Sequence, residues 1–164
     1  MNLGQGLMIG CAWDKNPQGE VDLDTTVVLI DEVGTVKDAC YFNKLRSDCG
    51  SVVHSGDVVG GEKQGYDETI NITLPIVNYS IAYMVILVTN AKGGGFYNSK
   101  TANTAIFQGS TKLSEIFLGA VPSGNNSVVV AVLRRMNPTW SFVNVSESGP
   151  GCNFTQSENL IKNS

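Results

Sequence analysis

Two stretches of this sequence hold residues whose types and spacing suit chemistry: Asp22-Leu23-Asp24, and the segment from His54 to Glu68. Side chains alternate across a strand, so Asp22 and Asp24 share a face about 6.6 Å apart. Two carboxylates so placed repel unless one is protonated or a cation lies between them. In the second segment Asp57, Glu62 and Asp67 recur every five residues, each with a glycine one or two positions earlier, and Glu68 closes the run. Glycines let the backbone curl, so carboxylates and main-chain carbonyls can turn toward one point. Calcium takes six to eight hard oxygen ligands of these two kinds. Taken singly, the Asp pair is equally a solvated strand end and the loop an acidic surface loop. Together they point to a divalent cation, with magnesium the alternative. The spacing is not that of an EF-hand, because the third ligand and the turn glycine are missing.

The charge distribution agrees. Residues 1–68 carry twelve Asp/Glu against five Lys/Arg, and residues 69–164 carry three against six. An acidic first half argues against nucleic acid, whose phosphates require clustered Lys/Arg. His54 is the only histidine. It has neither a nucleophile nor a base partner in the pattern, so it reads as structural and the chain as no enzyme. Cys11, Cys40, Cys49 and Cys152 lack zinc-knuckle or redox spacing. Buried free thiols are expected, a Cys40–Cys49 disulfide being the alternative. Arg134-Arg135 reads as a solvated or salt-bridged strand end, or as a partner contact. Trp13 and Trp140 read as packing residues.

The elements that must position these groups are strands. Runs rich in Val, Ile, Thr and aromatics are broken by Gly, Asn, Ser and Pro clusters. The expected strands are 7–13, 21–30, 39–43, 68–74, 81–89, 104–107, 115–118, 127–134 and 140–145, with turns at Gly34 and Pro138. No long window has helical periodicity, and 113–118 alone suggests one helical turn. The expectation is an all-β, antiparallel two-sheet β-sandwich of about eight or nine strands. One domain spans residues 1–148, and a loosely held polar tail spans 149–164. The N-terminus lacks signal-peptide features, and the most apolar run, residues 81–88, falls well short of the roughly 20 residues that span a bilayer. A cytoplasmic protein without a membrane partner is expected. Charged residues make up only 16% of the chain, which points to self-associating surface.

These residues resemble the tellurium-resistance TerD family, a group of calcium-binding β-sandwiches. The resemblance is carried by Asp22-Leu23-Asp24, Gly56-Asp57, Gly61-Glu62, Gly65 and Asp67-Glu68. It extends to Trp13-Asp14, Tyr41-Phe42-Asn43, Phe96 and Ala102, then Leu133, Arg135, Trp140 and Phe142. It implies a β-sandwich, no catalysis, and links to tellurite resistance and stress responses. The calcium ligands it implies are Asp22, Asp24, Asp57, Glu62, Asp67 and Glu68. Val58, Gln64 and Tyr66 depart from the acidic pattern, which implies fewer or weaker ions. Family members usually begin with a further N-terminal strand. Without it a sheet edge stands open to pairing, so a self-assembling oligomer or filament, with packing gated by calcium, is the alternative function.

Overall fold

A computed structural model describes residues 2–12, 23–55, 68–90, 102–118 and 125–149. Within them the chain forms β1 (Asn2–Leu3), β2 (Gly6–Ala12), β3 (Leu23–Asp31), β4 (Val36–Cys40), β5 (Val52–His54) and β6 (Glu68–Thr73). A single 3-10 turn at Leu74–Ile76 follows. The remaining strands are β7 (Ile81–Asn90), β8 (Asn103–Gln108), β9 (Thr111–Phe117), β10 (Ser127–Arg135) and β11 (Trp140–Gly149). One sheet has the order β1-β11-β10-β7-β3-β4, the other β5-β6-β2-β8-β9, and all pairings are antiparallel. The expected two-sheet sandwich is therefore present, with eleven strands instead of eight or nine.

Alternation along the strands builds the core. Leu23, Val27 and Leu29 on β3 and Met84, Ile86 and Val88 on β7 meet Ile9, Ile70, Ile72 and Ile106 of the other sheet. The intervening Val28, Ile30, Val85 and Leu87, with Val129, form a second buried cluster on the opposite face of the same strands. Both faces of β3 and β7 are thus covered, which explains their nearly unbroken apolar sequences. In β10 the register with both neighbours slips between Val129 and Ala131, leaving Val130 as an extra residue. This bulge lets Val128, Val130, Ala131 and Leu133 all join the inner core.

Local differences from the sequence reading have simple causes. The strand expected at 39–43 runs from Val36 to Cys40, because Tyr41 and Lys44 exchange main-chain hydrogen bonds and turn the chain away. Residues 113–118 form most of β9 and not a helical turn, since that segment pairs along β8. The Gly34 turn is formed as expected. Gly34 adopts φ +92°, and Asp31 Oδ1 accepts hydrogen bonds from the Val33 and Thr35 amides at 3.1 and 2.8 Å. The Pro138 turn closes the β10–β11 hairpin, with Met136 N donating to Thr139 O.

Asp38 latches the connection between β4 and β5. Its carboxylate accepts from Lys44 Nζ at 2.6 Å, the Asp48 amide at 2.7 Å and the Ala39 amide at 2.8 Å. Burial pushes the Asp38 pKa up, but these donors outweigh it and hold it below the ordinary carboxylate value. A depressed folded pKa contributes stability above the unfolded value, which is lost as pH falls through the folded one. Asp38→Asn is expected to cost about 1–3 kcal/mol at neutral pH. The gap to wild type should narrow below about pH 4, as urea denaturation across a pH series would read.

Candidate functional site

The strand registers bring one set of chain ends together. Leu23 lies opposite Asn90, Ser127 opposite Thr89 and Gly149, Cys11 opposite Glu68 and Thr104, and Asn103 opposite Phe117. Segments 13–22, 56–67, 91–101 and 119–124 all join strands at this end of the sandwich. Asp22, Asp57, Glu62 and Asp67 belong to them and lie outside the described residues, as does Trp13. Asp24 and Glu68 are described, and the fold brings them to this same end from different sheets.

Glu68 opens β6 on the row that also carries Ile70 and Ile72, so its side chain turns inward and is 1% exposed. Its Oε2 accepts a hydrogen bond from the Thr25 amide at 3.3 Å, across the gap between the sheets. His54 Nε2 lies 3.8 Å from the same oxygen. The Thr25 amide is open to Glu68 because β4 pairs with β3 only from Val27 onward, leaving the edge at residues 23–26 uncovered by β4. Asp24, 4% exposed, alternates with Leu23 and Thr25 and so shares its face with Thr26 and Val28, away from the other sheet. Asp24 and Glu68 therefore flank the β3 edge from its two sides.

Around Glu68 the interior becomes polar. Thr104 shares a cross-strand row with Cys11 and Glu68, and Thr25 faces it from the first sheet. Thr25 Oγ1 and Thr104 Oγ1 are buried with no hydrogen-bond partner among the described residues. Such hydroxyls normally carry partners, because burying one unpaired costs free energy. Thr25, Glu68 and Thr104 thus supply hard oxygens at one end of the core, and Asp24 adds a carboxylate on the outer face of the same strand end. This donor chemistry fits a calcium or magnesium ion and not a soft metal. Among the described residues no three His, Cys, Asp or Glu side chains converge as a metal-binding group. Any complete cage would have to draw on the segments outside them. The sequence reading missed Thr25 and Thr104, since a threonine is an ordinary strand residue and signals nothing in a Val/Ile run.

Cys40 and Cys49 carry free thiols, so the Cys40–Cys49 disulfide is not formed; Cys11 is buried, and Cys152 lies outside the described residues. Burial raises the Cys40 pKa to about 11. At half-buried Cys49 burial also pushes upward, but hydrogen bonds led by the Ser51 hydroxyl at 2.9 Å outweigh it and lower the pKa.

The profile of the TerD-domain family matches residues 2–152. The chain belongs to the TerD family. This TerD domain is 34% identical over 122 residues to tellurium resistance protein TerZ of Serratia marcescens, covering 74% of the chain and 63% of TerZ. It is 29% identical over 148 residues to general stress protein 16U of Bacillus subtilis, covering 83% and 77% of the two chains. A crystal structure of a homologue of telluride resistance protein from Streptomyces coelicolor superposes with a TM-score of 0.82 at 18% identity, over 92% of this chain and 94% of that one. At that identity the likeness establishes the shared fold. No helix among the described residues is long and apolar enough to cross a membrane.

In a Cys152→Ser background, the native protein is expected to show one fast-reacting thiol toward Ellman's reagent at pH 8, abolished by Cys49→Ser. Cys11 and Cys40 should react only after unfolding.

Proposed function

We propose that this TerD domain is a non-enzymatic calcium-binding module of the cytoplasm, stabilised by its ion and serving a stress-related role. The observation that carries the reading is the buried Glu68 carboxylate held against the Thr25 amide, with Asp24 on the other side of the same strand edge. Two acidic side chains withdrawn from water at one strand edge carry a large desolvation cost, and a divalent cation offsets it. Asp24, Glu68 and the hydroxyls of Thr25 and Thr104 are the described groups that would hold it. Asp22, Asp57, Glu62 and Asp67 would complete the set. A bound ion would supply charge neutralisation there, tying the two sheets together. That relatives are named for tellurium resistance and general stress supports the stress-related part.

Calcium at a hundredfold excess over its dissociation constant is expected to stabilise the wild type by about 2.7 kcal/mol, seen as a rise of several degrees in the melting temperature after chelator treatment. Asp24→Asn combined with Glu68→Gln should abolish that rise. A wild type whose melting temperature ignores calcium, with no heat on calorimetric titration, would overturn the proposal.

A second reading has its own observation. β1 pairs with β11 only at Trp140 and Ser141, so the outer edge of β11 from Phe142 onward has no strand beside it among the described residues. Val143 on β11 is 50% exposed and Phe117 on the other sheet's edge strand 58% exposed. Bare edges of this kind pair with other chains. We infer assembly of copies through this edge. Sedimentation at high concentration should then give oligomers that Val143→Lys disperses, whereas a monomer with and without calcium would end this reading.

A further inference from the structure

At the opposite end of the sandwich three turns surround a cleft of about 500 Å³. The β3–β4 turn contributes Glu32 and Val33, the segment before β7 contributes Tyr79 and Ser80, and the β10–β11 hairpin contributes Arg135 and Asn137. Asp31 also lines the cleft, but its carboxylate is already engaged by the Val33 and Thr35 amides and lies 3.6 Å from Lys37.

Arg135 is half-buried at the base. Its Nε donates to Ile81 O at 2.8 Å, and its Nη2 donates to Asn78 O at 2.9 Å and Val77 O at 3.3 Å. Its guanidinium carbon lies 4.5 Å from the centre of the Trp140 ring. These contacts fix the group in place and use three of its five N–H donors. Every acceptor is a neutral carbonyl, so among the described residues the positive charge has no carboxylate partner. Nη1, with two further donors, makes no hydrogen bond to the described residues. Glu32, exposed on the opposite wall, likewise has no ion pair among the described residues. Two opposite charges therefore face one cleft without reaching each other. The exposed Tyr79 and Val33 side chains, 90% and 86% accessible, add apolar surface at its rim.

We propose that this cleft binds a small zwitterion, a free α-amino acid with an aromatic or branched apolar side chain. The ligand carboxylate is taken by the two remaining N–H donors of Arg135 Nη1, on a guanidinium already oriented by its carbonyl contacts. The ligand ammonium is taken by Glu32, and its side chain lies against Tyr79 and Val33. The charge pattern selects for both ends at once: an anion alone meets the Glu32 carboxylate, and a cation alone meets the guanidinium. The site is distant from the acidic end and requires no metal.

The test titrates the isotope-labelled full chain with L-phenylalanine, 3-phenylpropionate and 2-phenylethylamine, following backbone amide shifts. L-phenylalanine is expected to move Tyr79, Ser80 and Asn137 and to bind more tightly than either probe lacking one charge. Glu32 sits on an exposed turn, so Glu32→Gln leaves the fold intact. It should weaken L-phenylalanine about threefold to fivefold, the worth of one exposed ion pair, and leave 3-phenylpropionate no weaker. The proposal is overturned if L-phenylalanine produces no shifts at these amides. It also fails if 2-phenylethylamine binds equally well, or if Glu32→Gln leaves L-phenylalanine unaffected.

Discussion

A carboxylate from one sheet accepts a main-chain hydrogen bond from the other, and the chemistry of the sandwich's acidic end follows from that contact. Glu68 Oε2 reaches the Thr25 amide only because β4 stops short of that part of β3. The carboxyl group so held is fully buried, which is costly unless neighbouring groups answer it. His54 beside it, and the hydroxyls of Thr25 and Thr104 in the same layer, turn an apolar interior polar within one strand row. Buried polar layers of this kind fix register as well as chemistry, because a slip of one residue would put Glu68 on the wrong face.

Much of the fold was legible because the strands that matter most are long and bounded by strong turn residues. β3, β7 and β10 were placed to within a few residues. The short strands were not legible: Asn2–Leu3 and Val52–His54 carry too few residues for any period to show. β9 alternates as a strand, but its Leu113, Ile116 and Phe117 also fit one helical turn, and only pairing with β8 decides between them. At the acidic end, Asp24 and Glu68 stood out as charges in apolar runs. Their placement on either side of one strand edge did not, since it depends on where β4 ends.

The two ends of this TerD domain use the same construction for different chemistry. Each gathers turns from both sides of the central strands, as β-sandwiches do with their loops. One end collects acidic oxygens around a seam between sheets. The other presents a held guanidinium over a tryptophan ring. The varied side-chain chemistry of this scaffold lies at its ends, while the buried faces of β3 and β7 keep those ends in fixed relation.

The extra residue in β10 has a consequence beyond core packing. Before Val130 the even positions look inward, and after it the odd ones do, as Val128 and Leu133 attest. That change of parity decides which of two consecutive arginines enters the molecule. Arg135 comes to lie over Trp140, while Arg134 is left in water. A regular strand of the same residues, alternating strictly from Val128 without the bulge, would instead turn Arg134 inward and Arg135 outward. A single valine, invisible as a functional residue in itself, thus acts as the selector of the charge at the far end of its strand.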